Sequence, residues 1–261
     1  MQTFDRDLHL FLDGREAAQG CHMFLTAHEF LTLRPALHSL LIYDLSDSSA
    51  ALLSGARRVE LRSGNSVLAF GDPAEVYTCL LSGRQVTSLV FSPGLSLWQS
   101  SVSLSLATGM TVSASVRALL SAAADLPSPV SLAAFTAEDY TFTRPQAFFG
   151  RTCDALASLA ETVNADAFLS SAGLCVSGRH PAASAPPTIV LPESDLLAAP
   201  RPAGSDSLIL TTRVAGWPLG SILQTSVNSK NCKGRLVSRL IRADNRDGPW
   251  KSELELIGVH A

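Results

Sequence analysis

Charge is scarce in this chain of 261 residues, since Asp, Glu, Lys and Arg make up only 16% of it. The net charge of −3 and a pI near 6.1 give no basic field, so tight binding along a nucleic-acid backbone is not expected, and no residue reads as a base-specific contact. Lysine is nearly absent: Lys230, Lys233 and Lys251 are the only three, all near the C-terminus. They read as a solvated strand edge that discourages unwanted pairing. Aromatic residues reach 7%, with three Trp and three Tyr, which argues against an exposed aromatic platform for carbohydrate. The five cysteines, Cys21, Cys79, Cys153, Cys175 and Cys232, are odd in number and scattered. That suits thiols in a reducing compartment better than a disulfide framework. No apolar run approaches the roughly 18 residues needed to span a bilayer, so no membrane insertion is expected. The start, MQTFDRDLHLFLDG, has acids before any apolar run and lacks the basic segment of a signal peptide.

Catalytic signatures are missing as well. There is no GxSxG, GxGxxG, P-loop, CxxC or HExxH stretch. His28-Glu29 lacks a second histidine four residues on and reads as a surface pair, not a zinc site. Adjacent strand residues point to opposite faces, so Cys21-His22 does not chelate easily. Glu138-Asp139 and the pair Glu253 and Glu255 are carboxylates of the kind glycosidases use, yet they read as solvated charge on a turn and on a strand face. Phe148-Phe149 reads as core, not as a stacking platform. We therefore assign no catalytic, cofactor-binding or metal-binding residue and expect no enzyme.

What is present is apolar material in short alternating runs, with 46% of the chain hydrophobic, enough to bury a large core. Alternation with a period of two predicts strands at Leu8–Leu12, before the hairpin turn Asp13-Gly14, and at Cys21–His28, Leu40–Tyr43, Arg58–Arg62, Glu75–Leu81, Arg84–Phe91 and Leu97–Leu106. A short capped helix fits Ala50–Ser54. Such strands at regular spacing mark a small barrel or sandwich. Past Gly109 the period changes: Val112, Val116, Leu119 and Leu120 line one face of a helix. A strand at Tyr140–Phe142, a second helix capped by Thr152, and a hairpin joining Phe168–Ser170 to Leu174–Val176 follow. Gly178–Pro187, rich in Pro, Ala and Ser, reads as a linker. Strands are expected at Thr188–Leu191, Leu208–Val214 and Ile222–Val227. The last pair, Cys232–Ile257, alternates on both sides of the turn Asp244–Pro249. The plan is mainly β with an α+β insert.

Four stretches in this order resemble one family: HSLLIYDLSDSSAALLSGARRVELRSG (38–64), TGMTVSASVRALLSAA (108–123), FGRTCDALASLAETVNADAFLSSAGLCVSG (149–178) and GRLVSRLIRADNRDGPWKSELELI (234–257). Together they look like the tail or baseplate hub proteins of tailed bacteriophages and contractile injection systems, the superfamily of the contractile-phage central hub and the late-control D-type proteins. The resemblance implies two small β-barrels, residues 1–107 and 181–261, flanking a helix-strand-helix-hairpin module at 108–180. It implies a homotrimer forming a ring of approximate sixfold symmetry, a virion component assembled in the host cytoplasm. Such a ring would join a tail tube protein to a spike or tail-tip protein, and tape-measure protein and DNA would pass through its channel. Sparse charge and many short strands agree with a body buried in an assembly. The competing classes are a glycosidase-like cell-wall hydrolase of the tail tip, which needs clustered carboxylates, and a receptor- or carbohydrate-binding tail module.

Overall fold

The computed structural model of the protein describes residues 6–123, 126–179, 188–227 and 230–260. In chain order the elements are β1 (His9–Leu12), β2 (Arg15–Ala17), β3 (His22–Phe30), β4 (His38–Tyr43), α1 (Asp47–Gly55), β5 (Val59–Ser63), β6 (Ser66–Leu81) and β7 (Arg84–Ser92). There follow α2 (Leu95–Gln99), β8 (Ser101–Leu106), α3 (Val112–Ala122), β9 (Leu132–Phe135), β10 (Gln146–Arg151), α4 (Thr152–Thr162), β11 (Ala165–Ser170) and β12 (Gly173–Gly178). The chain ends with β13 (Thr188–Leu191), a single 3-10 turn at Glu193–Asp195, β14 (Arg201–Pro202), β15 (Ser207–Arg213), β16 (Ile222–Val227), β17 (Lys230–Asp244) and β18 (Trp250–His260). The protein is mainly β, as its alternating runs predict. It divides into two compact units, one of residues 1–30, 36–92 and 187–261, the other of 31–35 and 93–186.

In the first unit thirteen strands share one hydrogen-bonded sheet. The alternation read from the sequence has a direct counterpart in burial: in β3, Met23, Leu25 and Ala27 point inward between half-exposed neighbours. Asp13 and Gly14, both at positive φ, make the tight turn that sets Leu12 opposite Arg15. Ser46 caps α1 by accepting a hydrogen bond from the Ser49 amide.

Two strands, β6 and β17, are long, and each changes partner along its length within its own set. The first part of β6 pairs with β5 and the rest with β7, with a register shift between Pro73 and Glu75. The first part of β17 pairs with β16 and the rest with β18, with a shift between Leu236 and Ser238. An extra residue at each shift bends and twists the strand, which lets it turn from one partner to the other. The order β3-β4-β7-β6-β5-β1 is thus matched by β14-β15-β18-β17-β16-β13. Aligning the shifts sets Ser238 on Glu75 and Gly234 on Gly71; Gly71 lies opposite buried Val59, and Gly234 opposite buried Leu223. The match ends at the last strand, because β1 is antiparallel to β5 whereas β13 is parallel to β16. Each set has its own core, one around Leu25, Leu40, Leu61 and Leu89, the other around Leu210, Leu223, Leu254 and Leu256. The two sets are continuous through one antiparallel ladder, Ser238–Asp244 of β17 against Phe30–Phe24 of β3. Among the described residues neither set closes on itself as a hydrogen-bonded barrel.

The second unit packs α3 and α4 with two small sheets, β8 with β10 and β9-β12-β11. Thr111 caps α3 by accepting from the Ala114 amide, and Val112, Val116, Leu119 and Leu120 face the core as their spacing predicts. Several local expectations are corrected. Leu97–Leu106 is not one strand, because α2 occupies its first residues and β8 starts at Ser101. Tyr140–Phe142 makes only an isolated bridge through Thr141 to Thr111. Arg151, not Thr152, is the capping position of α4, without a side-chain cap; Thr152 is buried and accepts a hydrogen bond from Ser100 at 2.6 Å. In the hairpin of β11 and β12, Gly173 sits at φ +134°, where an added Cβ would lie 2.4 Å from the Ser131 carbonyl oxygen. Most of the stretch read as a linker, 180–187, lies outside the described residues.

Candidate assembly interface

The residues weighed for chemistry fall into structural roles. Glu29 is not part of a surface pair. It projects from the inward face of β3, is 7% exposed, and meets Arg239 of β17, whose Nη2 lies 2.5 Å from Glu29 Oε2. The same guanidinium donates to the carbonyls of Leu68 (3.0 Å) and Ala215 (3.4 Å). Sequence reading missed this pair because its partners are 210 positions apart. Beside it His38, fully buried, accepts at Nδ1 from the His28 amide and packs edge-on against Phe91. Burial, then the nearby Arg239 and His28, push His38 down to about 3. His28 itself bonds Ser238 at 3.1 Å; burial lowers its pKa against the opposing pull of Glu255. These groups hold β3 and β17 together.

His22 does not join Cys21 but lies 3.0 Å from Asp244 and stacks on Tyr43. Asn245 accepts from the Met23 amide and donates to the Cys21 carbonyl, so the turn of the last hairpin is fastened to β3. Asp139 braces α3 by accepting from the amide and hydroxyl of Ser113; burial raises its carboxyl, but these hydrogen bonds outweigh it and hold it below the usual range. Glu253 lies between Arg201 (2.9 Å) and Lys251 (3.3 Å), while Glu255 is on the same strand face, two residues on. Lys233 and Lys251 sit on strands paired along both sides, so they do not guard a sheet edge; of the Lys230 side chain nothing is described. Phe148 packs on the core of the second unit, whereas Phe149 is 92% exposed. The expectation that both are core fails because β10 pairs only with β8, and alternate residues leave its packed face.

The second unit contains an open cleft of about 700 Å³. Asp154, Glu161 and Asp166 line it; Glu161 and Asp166 both bind Arg179, at 2.5 and 2.8 Å, and the Arg179 guanidinium holds Glu161 below its ordinary range. Arg151 lies over the Trp98 ring at 5.0 Å. Among the described residues no group of three or more His, Cys, Asp and Glu could hold a metal ion, and no helix is long and apolar enough to cross a membrane.

Among the described residues of the first unit, β2, β13, β14 and the outer part of β6 are paired along one side only. Among the described residues the outer part of β6, Glu75–Leu81, pairs with β7 alone. It exposes Tyr77 (49%), Leu80 (78%) and Leu81 (53%). At one end of the same sheet β14 pairs, among the described residues, only with β15, and Leu197 near it in the chain is 48% exposed. Open, apolar strand edges are templates for pairing with another chain.

Comparison with solved structures finds this fold in tail proteins. A tail protein from Neisseria meningitidis MC58 matches over 96% of this chain and 96% of its own, with a TM-score of 0.70 at 14% identity. The 43 kDa tail protein of prophage MuSo2 from Shewanella oneidensis matches over 97% and 98%, with a TM-score of 0.67 at 9% identity. The chain has the fold of phage tail proteins. The E. coli c3393 protein, a component of the type VI secretion system with structural similarity to bacteriophage T4 tail proteins, matches over 95% of this chain and 76% of its own, with a TM-score of 0.63 at 10% identity. No protein-family model and no curated protein matches the chain by sequence. The hub-like resemblance read from four sequence stretches is therefore matched, at the level of fold, over nearly the whole chain.

Proposed function

We propose that this protein is a structural hub of a phage tail tip or baseplate, three copies of which form a ring of approximate sixfold symmetry around a channel. The observation that carries this reading is the repeated strand order within one chain. Two similar β portions per copy, each read as a small barrel around its own core, give three copies six quasi-equivalent units. Such a ring presents sixfold symmetry to a tail tube protein on one side and threefold symmetry to a spike or tip protein on the other. In this reading the barrels lie within residues 1–107 and 181–261, and 108–180 is an insert. The role is mechanical, not enzymatic. Tape-measure protein and DNA pass through without sequence-specific contact, and the protein belongs to the virion after assembly in the host cytoplasm.

Electron microscopy of the assembled particle tests this. The expected image has a threefold ring of this chain, with an open bore, between tube and spike. The chain located outside the tail, or a ring without a bore, would overturn the reading. Turnover of peptidoglycan by the purified protein would overturn the non-enzymatic role.

A further inference from the structure

The ladder between β17 and β3 is a contact between the outer strand of one β portion and the first strand of the other. In the matched strand order β17 corresponds to β6, and β3 corresponds to β14. Every chain therefore makes this contact once internally and carries the two counterpart edges, β6 and β14, unused.

We propose that β6 of one copy pairs antiparallel with β14 of the next, head to tail, repeating between chains the contact that β17 and β3 make within one. The register follows from the strand pairs. Ser238 corresponds to Glu75, so Arg242 corresponds to Cys79. Arg201 pairs with Ile209, which pairs with Glu255, the partner of Ser238; Thr26 pairs with Ser39, which pairs with Val90, the partner of Glu75. Arg201 therefore corresponds to Thr26. Arg242 lies directly opposite Thr26 within the chain, so Cys79 lies directly opposite Arg201 of the next copy.

Burial points the same way. Leu80 corresponds to Ala243, which is fully buried, and Thr78 to Ile241, which is fully buried too. Ile241 and Ala243 fill the core around Leu25 and Leu40. Leu80, 78% exposed in the single chain, has no such cover until a second copy supplies it. Pro202 lacks an amide hydrogen, so side-chain contacts carry more of this junction than of the internal one. A contact between two unlike surfaces closes only if the rotation per copy divides the circle, and otherwise it runs on as a filament.

This inference rests on the ring reading, and the test separates the two. In the full chain, Arg201→Cys places a thiol opposite Cys79 at the distance of facing strand residues, within disulfide reach. The substitution gives up only an exposed ion pair with Glu253. Mild oxidation with copper-phenanthroline, read on non-reducing gels over a concentration series, should give covalent dimers and trimers and nothing larger. The ladder should vanish when Cys79→Ser is added, and should not form with Thr188→Cys, an exposed thiol on β13 instead. A ladder that continues past three copies would support the edge contact and overturn the trimeric ring. A trimer by light scattering in which Cys79 and the introduced thiol do not join would overturn the edge contact and leave the ring. Equal cross-linking by the Thr188→Cys control, or neither cross-link nor trimer at any concentration, would overturn this inference.

Discussion

His38 ties the stability of this fold to pH in a way that can be worked through before the experiment. Its ring is fully buried, Nδ1 accepts from the His28 amide, Nε2 has no hydrogen-bond partner among the described residues, and Arg239 lies nearby. Protonation would place a second cation in a dry site, and the folded-state value falls to about 3 from 6.5. Between those values the unfolded chain binds the proton and the folded chain does not, so this group's contribution is complete above pH ~6.5 and is lost as pH falls toward ~3. The slope is about 1.4 kcal/mol per pH unit, which makes roughly 2.7 kcal/mol by pH ~4.5. We predict that His38→Asn, which keeps an acceptor near Nδ1 but loses the ring packed on Phe91, costs about 2 kcal/mol at pH 7. It also removes the slope, so the two stability curves should meet near pH ~5. Urea unfolding at a series of pH values, followed by tryptophan fluorescence, measures both curves. Curves that stay parallel from pH 7 to pH ~4 would refute the reasoning, since His38 would then be protonated in the folded state or paired with a group that welcomes the charge.

Three further expectations can be checked alongside. Arg239→Met should destabilise the protein by about 3–5 kcal/mol by leaving Glu29 charged and buried, and adding Glu29→Met should restore most of the loss; urea midpoints of the single and double variants decide it. Gly173→Ala should destabilise the second unit by more than about 1 kcal/mol, because it needs positive φ and meets the Ser131 carbonyl; hydrogen exchange of the β11 and β12 amides reads the effect. A maleimide should label exposed Cys79 rapidly and leave Cys153 untouched in the folded protein, since burial pushes the Cys153 thiol up to about 12; intact-mass spectrometry after timed labelling shows which thiol reacts first.

Local periodicity made most elements legible. Alternation in β3, β4 and β18 and the four-residue spacing of α3 each follow from one face being buried, so the sequence records them directly. Failures came where pairing, not pattern, decides the outcome. Ser101, Ser103 and Ser105 alternate well, yet the residues before them form α2 because they pack into the core of the second unit, and periodicity in so short an apolar run cannot tell helix from strand. The candidate interface was half legible: Glu75–Leu81 reads as a strand, but nothing local says that one of its edges stays open. Glu29 looked like surface charge for the same reason, since its partner is distant in sequence. The internal repeat is invisible as residue identity because strand order and bulge position survive substitutions that alternate burial permits.

The ladder between β17 and β3 also governs when the protein can fold during synthesis. Ile241, Ala243 and Trp250 pack into a core otherwise built mainly from residues between Leu8 and Phe91, so that core stays unfinished until the ribosome has made residue 250. Translation that stops early yields a product with an open seam along β3 and a depleted interior. Such a fragment carries β3 without the strand that completes its core.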